Sequence, residues 1–133
     1  MPTAGERAAR TFAETITSGD RPAALAICHP EIEFESMLGL TGRRYIGHAG
    51  IEQYFDDVES AWEDWSVDVE RTVEGPDGRV AIVMTMRARG KGSGVPLAIR
   101  TAHIWTLRDE KLVRNQLFRE PEGALEELGI PSA

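Results

Sequence analysis

The sequence predicts an α+β fold: helices first, then a mainly antiparallel sheet, with a pocket between the two. Apolar residues recur at helical spacing through the N-terminal half, then switch to alternation from Val67 onward. The alternating stretches follow one another with short turns between them, which favours pairing as antiparallel neighbours. Glycines at the ends of long strands predict a strongly curved sheet that leaves a cavity where core side chains fail to meet.

The elements follow in order. Over Glu6–Thr17, Ala8, Ala9, Phe12, Ala13 and Ile16 make one helical face, and Ser18-Gly19 stops it. Asp20 is an N-cap and Pro22 lies in the first turn of a second helix through Cys28, which Pro30 ends. Glu31–Met37 alternates, with Ile32 and Phe34 on one side and Glu33 and Glu35 on the other. Gly39, Gly42 and Gly47 mark a linker with room for a short hairpin arm around Arg43–Tyr45. A helix over Ala49–Ala61 carries the stripe Ile51, Tyr54, Phe55, Val58 and Trp62. Strands are expected at 67–73, 80–89, 96–107 and 112–119, with a turn at Gly75-Pro76-Asp77-Gly78 and a flexible loop over Gly90–Gly94. Pro121 opens a last helix with Ala124, Leu125 and Leu128. One domain over 6–130 accounts for the chain, with no repeat or low-complexity segment.

Composition narrows the function. The chain has 133 residues, 41% hydrophobic and 28% charged, a globular balance. Its net charge of −7 repels a phosphate backbone, so no nucleic-acid partner is expected. No apolar run approaches the roughly 20 residues of a membrane span, so no membrane partner is expected and the cytoplasm is the expected location. Cys28 is the single cysteine, which excludes an intrachain disulfide and reads as a buried, inert thiol.

Two groups of residues carry possible chemistry. Glu33 and Glu35 share one side of a short, half-buried strand. They are either a solvated face, or one of them enters an apolar pocket, where its pKa rises and it acts as a general base. His103 lies in a long strand with Thr101 and Trp105 on its side, while Arg100, Ala102 and Ile104 take the other. It is either a satisfied core histidine or a proton donor inside a cavity. No metal site is expected: Glu33, Glu35 and His103 make a ligand set only if the fold converges them. No phosphate loop, dinucleotide fingerprint or nucleophile elbow is present, and no cofactor is expected. The large side chains Phe12, Ile16, Phe34, Tyr54, Phe55, Val58, Trp62, Met84, Met86, Trp105 and Leu117 are the expected core or pocket lining.

Several weak motifs occur in a characteristic order. They are Ser18-Gly19-Asp20, His29-Pro30-Glu31-Ile32-Glu33-Phe34, Tyr45-Ile46-Gly47-His48-Ala49-Gly50-Ile51, Gly92-Ser93-Gly94, Ala102-His103-Ile104-Trp105-Thr106-Leu107-Arg108-Asp109 and Ala124-Leu125-Glu126-Glu127-Leu128-Gly129. Together they resemble the SnoaL-like polyketide-cyclase family of the nuclear transport factor 2-like superfamily, over Glu6–Ile130. The resemblance implies a cone-shaped sheet, antiparallel or mixed, wrapped around the N-terminal helices, with a central pocket. It also implies a homodimer joined through the sheet, with Arg100, Ile104 and Thr106 as candidate contacts. Compared with the ketosteroid isomerases of that superfamily, the general-base aspartate falls on Glu35 and a protonated oxyanion donor on His103. The oxyanion tyrosine falls on Phe12, which has no hydroxyl, so steroid isomerisation is disfavoured. The expected function is binding of a small apolar or carbonyl-containing molecule, either with cyclase- or isomerase-type proton transfer by Glu35 and His103, or as a non-catalytic binding or accessory dimerisation protein.

Overall fold

A computed structural model describes residues 1–36 and 44–131. Helix α1 (Ala4–Ser18) starts at a capping box, in which Thr3 accepts from Glu6 N and the Glu6 carboxylate accepts from Thr3 N. It ends at Gly19, whose φ of 74° is in the left-handed region that glycine enters at no steric cost. Asp20 caps α2 (Arg21–Ile27) by accepting from Ala23 N. That helix is shorter than its sequence suggests. Cys28 already begins β1 (Cys28–Glu35), and Pro30 sits inside the strand rather than at a helix end. The glycines expected to form a linker at 39 and 42 lie outside the described residues. Beyond them β2 (Arg44–Ile46) pairs antiparallel with β1, and α3 (Gly47–Ala61) follows without a break.

Strands β3 (Trp62–Glu74), β4 (Val80–Gly90), β5 (Pro96–Arg108) and β6 (Lys111–Phe118) follow as antiparallel neighbours. The strand β1 then pairs with β6 in parallel, so the sheet is mixed, in the order β2-β1-β6-β5-β4-β3. Helix α4 (Pro121–Glu127) closes the described chain. Among the described residues no helix is long and apolar enough to cross a membrane.

The cone-shaped, curved wrap expected above is not what forms. The sheet is neither curled nor closed: its strand order is linear, with β2 and β3 as free edges. The reason lies in α3, which connects those two edges and packs on β1, β2 and β3. A helix of 15 residues is about 22 Å long, and five inter-strand spacings span about 24 Å. Because the helix joins the end of β2 to the start of β3, those two edge ends sit a helix length apart and do not meet.

Both faces of the sheet are covered in part. Helix α1 packs on β3, β4 and β6, on the same side as α3. Phe12, Ile16, Phe34, Tyr54, Phe55, Ile82, Met86 and Trp105 belong to this principal core. The opposite parity, Ala81, Val83, Ala102 and Ile104, packs under Ala124 and Leu125 of α4 and Leu128 at its C-cap. Ile104, a candidate dimer contact by sequence, is therefore 2% exposed beneath the chain's own helix. Arg100 is tied down as well, by Glu70 at 2.6 Å and Glu122 at 3.9 Å.

Candidate functional site

The long strand β5 sets the site. Odd-numbered residues from Leu97 to Leu107 face α1, and even-numbered ones face α4. That alternation places Thr101, His103 and Trp105 in one inward row. Across the sheet Ile82 stands opposite His103, and Met84 opposite Thr101. Helix α1 brings Ala9, Phe12, Ala13 and Ile16 down onto them, and β1 adds Phe34. These side chains enclose a void of about 10 Å³, close to the room one water molecule needs.

Its walls are aromatic. Phe34 lies nearly parallel to Trp105 (9°, centroids 5.8 Å apart) and to His103 (12°, 6.2 Å). Phe12 meets Phe34 and Trp105 edge-on at 5.2 and 5.3 Å. No charged side chain contributes to the lining.

His103 is the one polar side chain of that lining and is 1% exposed. Its state follows from Asn115. The Asn115 amide is held by the Glu35 main chain: Oδ1 accepts from Glu35 N at 2.8 Å and Nδ2 donates to Glu35 O at 2.9 Å. This pairing fixes which end of the amide is nitrogen. The second Nδ2 hydrogen then points to His103 Nδ1, 2.6 Å away. A ring nitrogen that accepts carries no proton, so the imidazole proton sits on Nε2. Burial lowers the His103 pKa to about 4, which keeps the ring neutral at pH 7. The outcome is a neutral N–H donor in an apolar chamber.

Glu35 is placed differently from His103. In β1, Cys28, Ile32 and Phe34 are buried, and Glu33 and Glu35 alternate with the last two. The Glu35 carboxylate is not part of the void lining; its main chain reaches His103 only through Asn115. Glu33 pairs with Arg44 at 3.3 Å on the same outward parity. Among the described residues no three His, Cys, Asp or Glu side chains are placed to hold a metal ion.

Of the residues expected to line a pocket, Phe12, Ile16, Phe34, Met84, Met86, His103 and Trp105 surround the void. Tyr54, Phe55 and Val58 form a layer of core on α3, with the Tyr54 ring edge-on to Phe34 at 4.8 Å. Trp62 packs half-buried against that core, and Leu117 is half-buried beside His103 on β6. The residue that sequence reasoning missed is Asn115. Its signal was an amide at the parity that pairs with Trp105. A second polar cluster lies beside α3, where Asp57 accepts from Tyr45 Oη and from Gln53 Nε2, each at 2.7 Å.

An open mixed sheet, with α1 covering an aromatic chamber on one face, defines an α+β class built around a small internal site. Residues 9–115 match the family model for the SnoaL-like domain, and the chain belongs to that family. No curated protein matches it. Among solved structures it is similar to TerC co-crystallised with polyporic acid, at 25% identity over 95% of this chain and 98% of that one, with a TM-score of 0.73. It is similar to a protein of ketosteroid-isomerase-like fold from Catenulispora acidiphila in complex with trimethylamine, at 18% identity, 93% coverage of each chain and a TM-score of 0.74. A Mycobacterium tuberculosis protein in complex with estradiol-17β-hemisuccinate shares the fold at 14% identity, 86% and 92% coverage and a TM-score of 0.72.

Proposed function

We propose that this protein binds a small, flat, mainly apolar molecule between α1 and the sheet, through one hydrogen-bond acceptor held by His103. The observation that carries the reading is the fixed tautomer of His103. Its Nδ1 is occupied by Asn115, and its pKa of about 4 keeps it neutral. Nε2–H is then the donor left for a carbonyl or similar oxygen. Aromatic walls at Phe12, Phe34 and Trp105 suit a planar body. Relatives of this fold support the ligand class, since the TerC structure carries polyporic acid and the mycobacterial one a steroid ester. The void itself is small, so binding requires side chains to move apart. Met84 and Met86 are unbranched and adapt easily.

Binding is favoured over acid–base turnover because the Glu35 carboxylate is absent from the lining. Calorimetric titration with polyporic acid and with estradiol-17β-hemisuccinate tests the reading. Saturable binding that His103→Phe weakens about tenfold, the worth of one buried hydrogen bond, supports it. Absence of binding by both compounds refutes it. Incubating each compound with protein and following it by NMR separates the two functions. Unchanged compound supports a binder, whereas consumption that Glu35→Gln abolishes supports an enzyme.

The homodimer belongs to the same reading, with its contact on the outer sheet face that α4 leaves open, around Thr85, Arg87 and Ala98. Sedimentation equilibrium at micromolar concentration decides it, and a single-chain mass throughout refutes it.

A further inference from the structure

We propose that the Thr101 hydroxyl is a second polar anchor of this site, so that the ligand carries two oxygens at opposite ends of a flat apolar body. This rests on the ligand-binding reading above. Thr101 is fully buried, at 0% exposure, and its Oγ1 is a buried side-chain polar atom with no hydrogen-bond partner among the described residues. Buried hydroxyls are normally satisfied, and an orphan costs the free energy of its lost hydration. Valine has nearly the same shape, suits a strand equally well and carries no such cost. A hydroxyl at this position therefore calls for a partner that the described residues do not supply.

Position indicates what that partner is. Thr101 and His103 share the inward row of β5, one pleat apart, which is about 6.7 Å along a strand. The residue opposite Thr101 is Met84, which lines the void. A rotamer change at Met84 is the shortest way to extend the chamber from His103 toward the Thr101 hydroxyl. A ligand seated there presents one oxygen to His103 Nε2–H and a second, about 7 Å away, to Thr101. That spacing is near the separation of the two oxygens of a para-hydroxyaryl ketone and longer than that of two oxygens set directly on one ring. The class of ligand is a para-hydroxyaryl ketone, rather than a hydrocarbon or a molecule with a single oxygen.

Two probes of equal shape test the inference: 4-hydroxyacetophenone, with both oxygens, and 4-methylacetophenone, with the carbonyl alone. Calorimetry is run on the wild type, Thr101→Val and Thr101→Ser. Thr101→Val is expected to weaken 4-hydroxyacetophenone about tenfold and to leave 4-methylacetophenone unchanged, while Thr101→Ser keeps the wild-type preference. The ligand-free Thr101→Val protein is expected to melt at a higher temperature than the wild type. That gap should narrow when 4-hydroxyacetophenone saturates both. Equal binding of both probes by the wild type and Thr101→Val overturns the role of Thr101 and leaves the His103 site standing. An equal loss of both probes in Thr101→Val also overturns it, since that marks a packing change. Absence of any binding to the wild type at millimolar probe overturns the anchor and counts against the site as well.

Discussion

Protonating His103 should destabilise this protein, and the size of the effect follows from its surroundings. The ring is 1% exposed, accepts at Nδ1 from Asn115, and faces Phe34, Phe12 and Trp105 with no charged side chain in the lining. Charging it places an imidazolium in an apolar chamber and also sets N–H against N–H at Asn115. Its pKa falls from 6.5 to about 4 in the folded state, with burial as the cause. Below pH 6.5 the unfolded chain takes up a proton at this residue that the folded chain refuses. Stability from this group is therefore complete above pH 6.5 and is lost as pH falls toward 4. Integrated, the loss is about 2 kcal/mol at pH 5 and about 3 kcal/mol at full protonation. Against a total of roughly 5–15 kcal/mol for a domain, that is a large fraction. The assay is urea unfolding at pH 7.5 and pH 5 for the wild type and for His103→Gln, which cannot titrate. Exposed carboxylates such as Glu70 and Asp77 titrate alike in both proteins and cancel in the comparison. The wild type should lose about 2 kcal/mol more than the variant between the two pH values. Equal pH slopes, or an NMR titration midpoint for His103 near 6.5 in the folded protein, would refute the reasoning.

Other outcomes follow from packing and from burial. Gly50→Ala should gain about 1 kcal/mol of helix propensity yet destabilise overall by about 1–3 kcal/mol, because a Cβ there lies 2.9 Å from the Tyr45 carbonyl carbon, in backbone that cannot swing aside; urea midpoints measure the sign. Asn115→Leu should cost about 3–5 kcal/mol, since it orphans both Glu35 main-chain groups and His103 Nδ1 at once; retention of the wild-type melting temperature would contradict this. Cys28 should resist thiol reagents in the native protein at pH 8 and react in urea, because burial pushes its pKa up to about 12; fast native labelling would contradict it.

Much of the fold was legible because periodicity reports which side of an element is buried. The stripe Ala9, Phe12, Ala13 and Ile16 faces the sheet as its spacing requires, and the alternation from Val67 onward becomes β3 to β6 in order. The misreadings occur where local and tertiary signals disagree. Cys28 reads as helical because it follows a run of alanines, yet β1 needs its length to reach β6, where Cys28 pairs with Leu112. The parallel pairing of β1 with β6 links residues far apart in the chain, and no turn signal announces it. Closure fails for a similar reason. Whether glycine-flanked strands curl into a cone depends on what spans the face, and only the placement of α3 between β2 and β3 shows that the edge ends sit apart.

The site divides along the same line. His103 was recognisable as a polar residue in an apolar row, because strand parity alone puts it beside Trp105. Its partner was not recognisable, because carboxylates invite an acid–base reading and amides do not. Glu35 and Asn115 meet in space through the main chain of one and the side chain of the other. That contact serves two ends. It continues the parallel contact of β1 with β6 past Glu33, which pairs with Arg114. It also spends the remaining amide hydrogen on His103 Nδ1, which fixes the tautomer. A carboxylate at position 115 would instead accept a hydrogen bond from His103 Nδ1–H, favour imidazolium and make the ring half of an ion pair. Asn115→Asp therefore separates the two designs. With the amide, His103 stays neutral and the chamber suits an uncharged oxygen. With the acid, the His103 pKa should rise above that of the wild type by NMR. The protein should then keep more of its stability near pH 5, and the preference for an uncharged acceptor should weaken.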